Sequence, residues 1–342
     1  MSNFYIDDIR YALNDFCFPW HKLENTNILI TGATGLIGSA IIDALMQNEN
    51  RNYCVYASGR NYERACELFS EYFSKDGFYF VSHDITQKLV VNIEFHYIIH
   101  AASYASPNHF VSDPVNVFKA NVWGVNNLLE YSKDFIKKFI FVSSGEVYGK
   151  SNNDILDESY SGYIDPLLPR SCYPISKRAA ENLSVSYGVE NKFEISIARP
   201  CHTFGPHFLK NDGRAYAQFL RNVTNNQDIV LKSDGSQRRS WLYVVDCAMA
   251  ILCILFYGKD KEAYNVADLD SVCTIKDFAE KMARIAHRKV SFDIPTETEK
   301  KGYSTVVSSI LGDKKIKMIG WKPFFTLDAG LEHTIKTLNH LK

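Results

Sequence analysis

Residues 27–40 read Asn27-Ile28-Leu29-Ile30-Thr31-Gly32-Ala33-Thr34-Gly35-Leu36-Ile37-Gly38-Ser39-Ala40. A short apolar strand leads into a glycine turn at Gly32, Gly35 and Gly38. An apolar helix follows from Ile37 to Leu45. That order of strand, turn and helix is what a dinucleotide-binding fingerprint requires. Gly32 permits the tight turn and Gly35 lets backbone approach a pyrophosphate. Gly38 lets helix and strand pack closely. The helix N-terminus offers free N–H groups and a positive dipole end to phosphates, so Thr34, Leu36 and Ile37 join the expected cofactor contacts.

Outward from this stretch, strands are expected at 53–57, 78–81, 97–102, 139–143 and 195–198. Helices are expected at 62–73, 114–135 and 176–187. Such alternation predicts an α/β fold with a doubly wound parallel Rossmann sheet, whose ligand crevice lies at the carboxyl ends of the strands. Apolar spacing at Tyr5, Ile9, Ala12, Leu13 and Phe16 predicts an added N-terminal helix packing on the outside, with Asp7 and Asp8 in its first turn. Beyond Cys201 the alternation weakens. Helices are expected at 215–225, 245–256, 275–286 and 327–341, with extended pieces at 229–231, 263–266 and 289–292. The expected division is an added helix over 1–24, a dinucleotide-binding domain over 25–200 and a smaller C-terminal α/β substrate lobe over 201–342.

The 342 residues carry a formal net charge of −1, with 46% hydrophobic and 23% charged residues. That balance advertises no nucleic-acid partner. No apolar run approaches the roughly 20 residues that span a bilayer. Eight cysteines without a C-x-x-C pair fit buried free thiols in a reducing cytoplasm, with no metal site expected.

Tyr173 and Lys177 lie four apart, which sets both on one helix face. A lysine near the hydroxyl, with an oxidised nicotinamide, lowers a tyrosine pKa from about 10 towards neutrality. The tyrosine then serves as a general acid/base between carbinol and carbonyl. Ser144, at the end of the fifth strand, is expected to polarise the carbonyl beside it. Asn121 is unfavourable inside a helix, and a water or backbone contact near the lysine would account for it.

Together, ITGATGLIG, the HAAS after strand four, SSGEVYG and YPISK resemble the extended short-chain dehydrogenase/reductases, the NAD-dependent epimerase/dehydratase family. The resemblance extends through RPCHTFGP, GSQRRSWLYVVD and GWKP. The stretches SYASPNHFVSDPV, LPRSCYPISKRAAE and HFLKNDGRAYAQFL look most like the UDP-glucuronate decarboxylase branch. The resemblance implies a nucleotide-diphosphate sugar substrate and a catalytic set of Ser144, Tyr173 and Lys177. It further implies Asp84, Ile85 and Ala101 on the dinucleotide, and Arg239, with help from Arg214, on the substrate diphosphate. A homodimer built on the helices at 114–135 and 176–187 is also implied.

The chain departs from that branch at two positions. Gly145 stands where decarboxylases carry serine and 4,6-dehydratases aspartate, although Glu146 remains as a base. His202 stands where decarboxylases carry asparagine. The second strand ends in Ser58-Gly59-Arg60 without a carboxylate, and Arg60 is suited to a 2′-phosphate. NADPH is therefore the preferred cofactor, with NADH as the other choice. These departures favour NAD(P)H-dependent reduction of a dTDP-4-keto-6-deoxyhexose for bacterial O-antigen-type surface polysaccharide. UDP-glucuronate decarboxylation, forming UDP-xylose, is the alternative, and a nucleotide-sugar 4-epimerase is the third choice. A non-enzymatic dinucleotide sensor has no need of the intact serine, tyrosine and lysine.

Overall fold

The computed structural model describes residues 4–151, 153–293 and 308–340. Thirteen strands are described: β1 (Asn27–Thr31), β2 (Cys54–Gly59), β3 (Phe78–Ser82), β4 (Tyr97–His100), β5 (Lys138–Val142), β6 (Glu194–Pro200), β7 (His202–Phe204), β8 (Ile229–Leu231), β9 (Arg238–Tyr243), β10 (Glu262–Val266), β11 (Val272–Thr274), β12 (Val290–Phe292) and β13 (Ser308–Ser309). The α-helices are α1 (Phe4–Asp15), α2 (Leu36–Met46), α3 (Tyr62–Phe69), α4 (Pro107–Ser112), α5 (Pro114–Ser132), α6 (Cys172–Asn191), α7 (Ala215–Thr224), α8 (Val244–Tyr257), α9 (Ile275–Ile285), α10 (Lys314–Met318) and α11 (Leu327–His340).

Seven strands form one sheet in the order β10-β6-β5-β4-β1-β2-β3, and every pairing is parallel. Strands covered on both faces read as continuous apolar runs, as Ile28-Leu29-Ile30 does. All three side chains are fully buried, and they alternate. Ile28 and Ile30 enter the core shared with α1, α2 and α8, while Leu29 enters the core on the face of α5 and α6. The strand order reverses between β1 and β4, which opens the crevice there.

The structure differs from the sequence reading in several places. Helix α6 starts at Cys172, not Ser176. Pro174 sits in its first turn, where a missing N–H costs nothing, so Tyr173 is inside the helix. Helices α3 and α5 end earlier than expected, at Phe69 and Ser132. The short α4 had no clear sequence signal. The apolar piece 263–266, read as part of the smaller lobe, is the edge strand β10 of the large sheet. Its buried Tyr264 and Val266 share one face and enter the core with α1, α2 and α8. Helix α8 packs beside α2 on this sheet. The remaining C-terminal strands form two small sheets, one pairing β7, β11 and β13 with β9, the other β8 with β12. All eight cysteines are free, but only Cys247 and Cys253 are fully buried and Cys17 is exposed. No helix among the described residues is long and apolar enough to cross a membrane.

Helix α1 does more than cover the outside. Asp8 is buried, not solvated in a first turn; it accepts from the Tyr243 hydroxyl at 2.9 Å and meets His333 Nδ1 at 2.9 Å. The Tyr5 hydroxyl donates to Asp43 Oδ2 of α2 at 2.8 Å. Asp43 is 3% exposed, and burial raises its carboxyl to about 7, although hydroxyl donors on Tyr5 and Tyr72 pull it back. The folded chain therefore holds this proton more tightly than the unfolded chain, whose aspartate titrates near 4. The stabilisation is complete below about pH 4 and is lost as pH rises through about 7. Asp43→Asn is expected to flatten the fall in stability between about pH 4 and 8, by up to about 4 kcal/mol. Urea midpoints of the two proteins at both pH values measure this. An equal fall in the variant excludes Asp43 as the cause.

Candidate functional site

The glycine turn forms the floor of the crevice. Gly32 has φ +67°, and a Cβ there would lie 2.7 Å from the Ala101 carbonyl. Gly38 would set a Cβ 2.3 Å from the Gly32 carbonyl oxygen. Gly35 is the N-cap of α2, and no side chain caps that helix end. Its free N–H groups and the cradle that any Cβ would fill suit a pyrophosphate.

Gly32, Thr34, Gly35, Arg60, Asp84, Ile85 and Ala101 line one cavity at this end of the sheet. Leu36, Ile37 and Gly38 lie behind it in the opening turn of α2, with the Leu36 side chain turned into the core. The sequence reading did not select His83, Ser103, Tyr104 and Leu209, which line the same cavity. They lie on loops without a spacing signal. Burial pushes the Asp84 carboxyl up, but the N–H and hydroxyl of Thr86, with Arg60 nearby, hold it below its usual value. The Arg60 guanidinium lies 4.9 Å from the Tyr104 ring centroid and donates to the Tyr104 hydroxyl.

Asn121 contacts neither backbone nor solvent. It is fully buried, accepts from Ser103 at 2.8 Å and donates to Ser176 at 2.8 Å. Ser176 in turn donates to the Tyr173 carbonyl at 3.0 Å. A buried polar chain thus links the cavity wall to the first turn of α6.

Tyr173 is 6% exposed and stacks on Phe110, ring centroids 4.6 Å apart at 15°. Its hydroxyl pKa is pushed up to about 12, chiefly by burial and then by Glu146, against Ser144 and Arg214, which pull it down. The expected lowering by Lys177 is absent from this arrangement. The Lys177 ammonium donates to the Val142 carbonyl at 2.7 Å and lies 5.9 Å from the Tyr173 ring centroid. Burial lowers its own pKa to about 7, so it is only partly charged near neutrality.

Ser144 and Ser143 separate cleanly. Ser143 is buried and donates to Glu181 at 2.5 Å, and Glu181 also takes two hydrogen bonds from Arg199. Ser144 caps the short turn 145–148 and faces Tyr173. Glu146 leads that turn and pairs with Arg170 at 3.5 Å. Burial raises the Glu146 carboxyl, while Arg170 and Arg239 oppose the rise, and 37% of its side chain stays open. A Cβ on Gly145 would come 2.9 Å from Leu311 Cδ1, so the Leu311 side chain occupies the space above this glycine.

Two arginines complete the cleft. Arg239, on β9, is 5% exposed. Arg214 caps α7 and makes a two-point contact with Asp212, at 2.6 and 3.0 Å. His202 opens β7; packing around the ring, then the Arg239 and Arg214 guanidinium groups, hold its pKa down to about 3. The cleft therefore presents guanidinium charge and a neutral imidazole beside a tyrosine, a serine and a carboxyl, next to the glycine cradle.

Known proteins share this plan. UDP-glucuronic acid decarboxylase 3 of Arabidopsis thaliana is 29% identical over 318 residues, covering 92% of this chain and 88% of that protein. UDP-glucuronic acid decarboxylase 1 of Danio rerio is 27% identical, covering 92% of this chain and 72% of its own. UDP-glucose 4-epimerase of Thermotoga maritima, solved with UDP-glucose, superposes with a TM-score of 0.80 at 25% identity, covering 92% of this chain and 99% of its own. The fold is also that of UDP-glucuronic acid 4-epimerase of Bacillus cereus, solved with UDP-glucuronic acid and NAD, at TM-score 0.77 and 21% identity over 92% of this chain and all of that one. Residues 28–267 match the NAD dependent epimerase/dehydratase family, and with its parallel sheet and glycine cradle the chain belongs to that family of nucleotide-sugar enzymes.

Proposed function

We propose that this protein decarboxylates a UDP-hexuronate, with UDP-glucuronate as the substrate, through transient oxidation at C4. The observation that carries the reading is a cluster of mutually facing side chains: Tyr173 faces Ser144, Glu146 and Arg214, and Glu146 faces Arg239. The decarboxylase relatives span about nine-tenths of the chain. That favours decarboxylation over the keto-sugar reduction expected from Gly145 and Arg60.

A bound NAD supplies a two-electron acceptor that is regenerated within each cycle. Tyr173 takes the proton of the C4 hydroxyl as C4 becomes a ketone, and Ser144 orients that oxygen. The C4 ketone is β to the carboxylate, so the C5–carboxyl bond breaks and its electron pair passes into an enolate. Glu146, whose carboxyl burial raises and which stays partly open to solvent, relays a solvent proton to C5 and is left as the carboxylate beside Arg170. Tyr173 returns its proton to the C4 oxygen when the ketone is reduced again. Lys177, fixed on Val142, orients the nicotinamide ribose and Tyr173. Arg239 and Arg214 hold the diphosphate. The glycine turn, Asp84, Ile85 and Asn121 hold or frame the dinucleotide.

NAD suits a cycle without net reduction, and neighbouring structures contain it. Arg60, engaged by Tyr104, forms part of the cavity lining and is not committed to a 2′-phosphate. The test incubates the full chain with UDP-glucuronate and either NAD or NADP, following CO₂ and reduced-cofactor absorbance. CO₂ release with NAD and no net cofactor change is expected. Stoichiometric NADPH oxidation with a dTDP-4-keto-6-deoxyhexose, and no CO₂ from UDP-glucuronate, would replace this reading by the reductase.

We further propose a homodimer. An open groove of about 500 Å³ runs along α5 and the start of α6, lined by Val115, Phe118, Trp123, Leu167 and Leu168. Leu167 is 89% and Trp123 47% exposed. These exposed apolar side chains offer a face that a second copy of the chain would cover. Sedimentation equilibrium is expected to give twice the 39.0 kDa chain mass, and Trp123→Glu to lower it. A monomer at micromolar concentration rejects the proposal.

A further inference from the structure

Arg170 lies in the stretch LPRSCYPISKRAAE but has no role assigned above; it stands three residues before Tyr173 in the turn 169–171 that leads into α6. Its guanidinium pairs with Glu146 at 3.5 Å and lies 6.0 Å from the ring centroid of Phe110. Phe110 is the ring on which Tyr173 stacks. Arg170, Glu146, Phe110 and Tyr173 therefore form one cluster, drawn from four separate segments.

We propose that Arg170 is a positioning residue that holds the Glu146 carboxylate and screens Tyr173 from its charge, thereby setting how readily the tyrosine gives up its proton. The proposal rests on the reading of Tyr173 as the proton acceptor at C4.

An ion pair between half-exposed side chains ordinarily contributes little to stability. The importance of this pair lies in what its carboxylate faces. Glu146 opposes ionisation of Tyr173, second only to burial. Two like charges in a confined site raise the cost of the second. The other groups facing Tyr173 are Ser144 and Arg214, which favour the phenolate, Phe110, which is neutral, and Lys177 on its own helix, committed to Val142. Facing Glu146 are Arg170 and Arg239. Arg239 is assigned above to the substrate diphosphate, so Arg170 is the cation left to hold Glu146 once substrate binds. Without Arg170, Glu146 takes up a proton at higher pH; once ionised, it bears on Tyr173 unscreened.

The experiment uses the full chain saturated with NAD. Its variants are Arg170→Met, Arg170→Lys and Glu146→Gln, each with a Tyr173→Phe counterpart as the blank. Tyrosinate absorbance near pH 10 is expected to show about tenfold more Tyr173 phenolate in Glu146→Gln than in the parent, a shift of about one pKa unit. The infrared band of protonated Glu146, identified by its loss in Glu146→Gln, is expected to titrate about one unit higher in Arg170→Met. Arg170→Lys should restore most of that shift. The inference is overturned when Glu146→Gln leaves the phenolate fraction unchanged. It is also overturned when Arg170→Met leaves the Glu146 titration in place, or when Lys behaves as Met does. Absence of CO₂ from UDP-glucuronate in the parent protein would reject the proposed reaction, while both titrations would still decide the role of Arg170.

Discussion

Tyr173→Phe is expected to lower kcat for CO₂ release by about 10²–10⁴-fold. The substitution removes one oxygen and little else. The ring that stacks on Phe110 remains, and so does the main-chain carbonyl that accepts from Ser176. The fold and nucleotide affinity should therefore survive, which makes the kinetic loss interpretable. With the hydroxyl gone, the C4 proton loses its acceptor beside Ser144. UDP binding by calorimetry should stay within about threefold of the parent, well under the 1.4 kcal/mol of a tenfold change. Full retention of turnover removes Tyr173 from the mechanism. Loss of both turnover and UDP binding would instead mark the residue as structural.

Gly38→Ala carries the second large effect, on stability and cofactor retention together. The new Cβ would lie 2.3 Å from the Gly32 carbonyl oxygen and 2.8 Å from its carbon, both backbone atoms of the turn itself. No side-chain rotation relieves such a clash, so α2 must move away from β1 or the turn must open. Overpacking of this kind costs about 3 kcal/mol. Movement of α2 also carries away the free N–H groups of its first turn, at Leu36 and Ile37. Gly35→Ala is the control. Its Cβ would meet only the Gly32 oxygen, at 3.1 Å, and its backbone is extended, a conformation open to any residue. Urea unfolding and NAD retention on gel filtration should rank the parent first, Gly35→Ala second and Gly38→Ala clearly last. Equal stability of the two variants would show that the helix can yield at Gly38.

The sheet was legible because its strands are buried on both faces and punctuated by glycine, serine and asparagine. Ile28-Leu29-Ile30 has no other sensible place in a soluble fold. The dinucleotide cradle was legible for the same local reason, since its glycines stand in one continuous stretch. What escaped the sequence depends on distant partners. Asp8 and Asp43 look like ordinary helical acids until Tyr243, His333, Tyr5 and Tyr72 close around them. Tyr104 has no pattern linking it to Arg60, 44 residues earlier. Spacing sets Lys177 on the helix face of Tyr173 but says nothing of the Val142 carbonyl that accepts from its ammonium. Proline 174 hid the start of α6, since one residue serves both to end a loop and to open a helix.

The edge strand β10 has a bearing on how the protein is made. It pairs with β6 from residues 262–266, more than 60 positions further along the chain. During synthesis the glycine turn, Tyr173 and Lys177 all leave the ribosome before the outer edge of β6 has any partner. An unpaired edge is a template for pairing with other chains. The nascent enzyme thus carries its reaction chemistry on a sheet that stays open until the last third of the polypeptide arrives to close it.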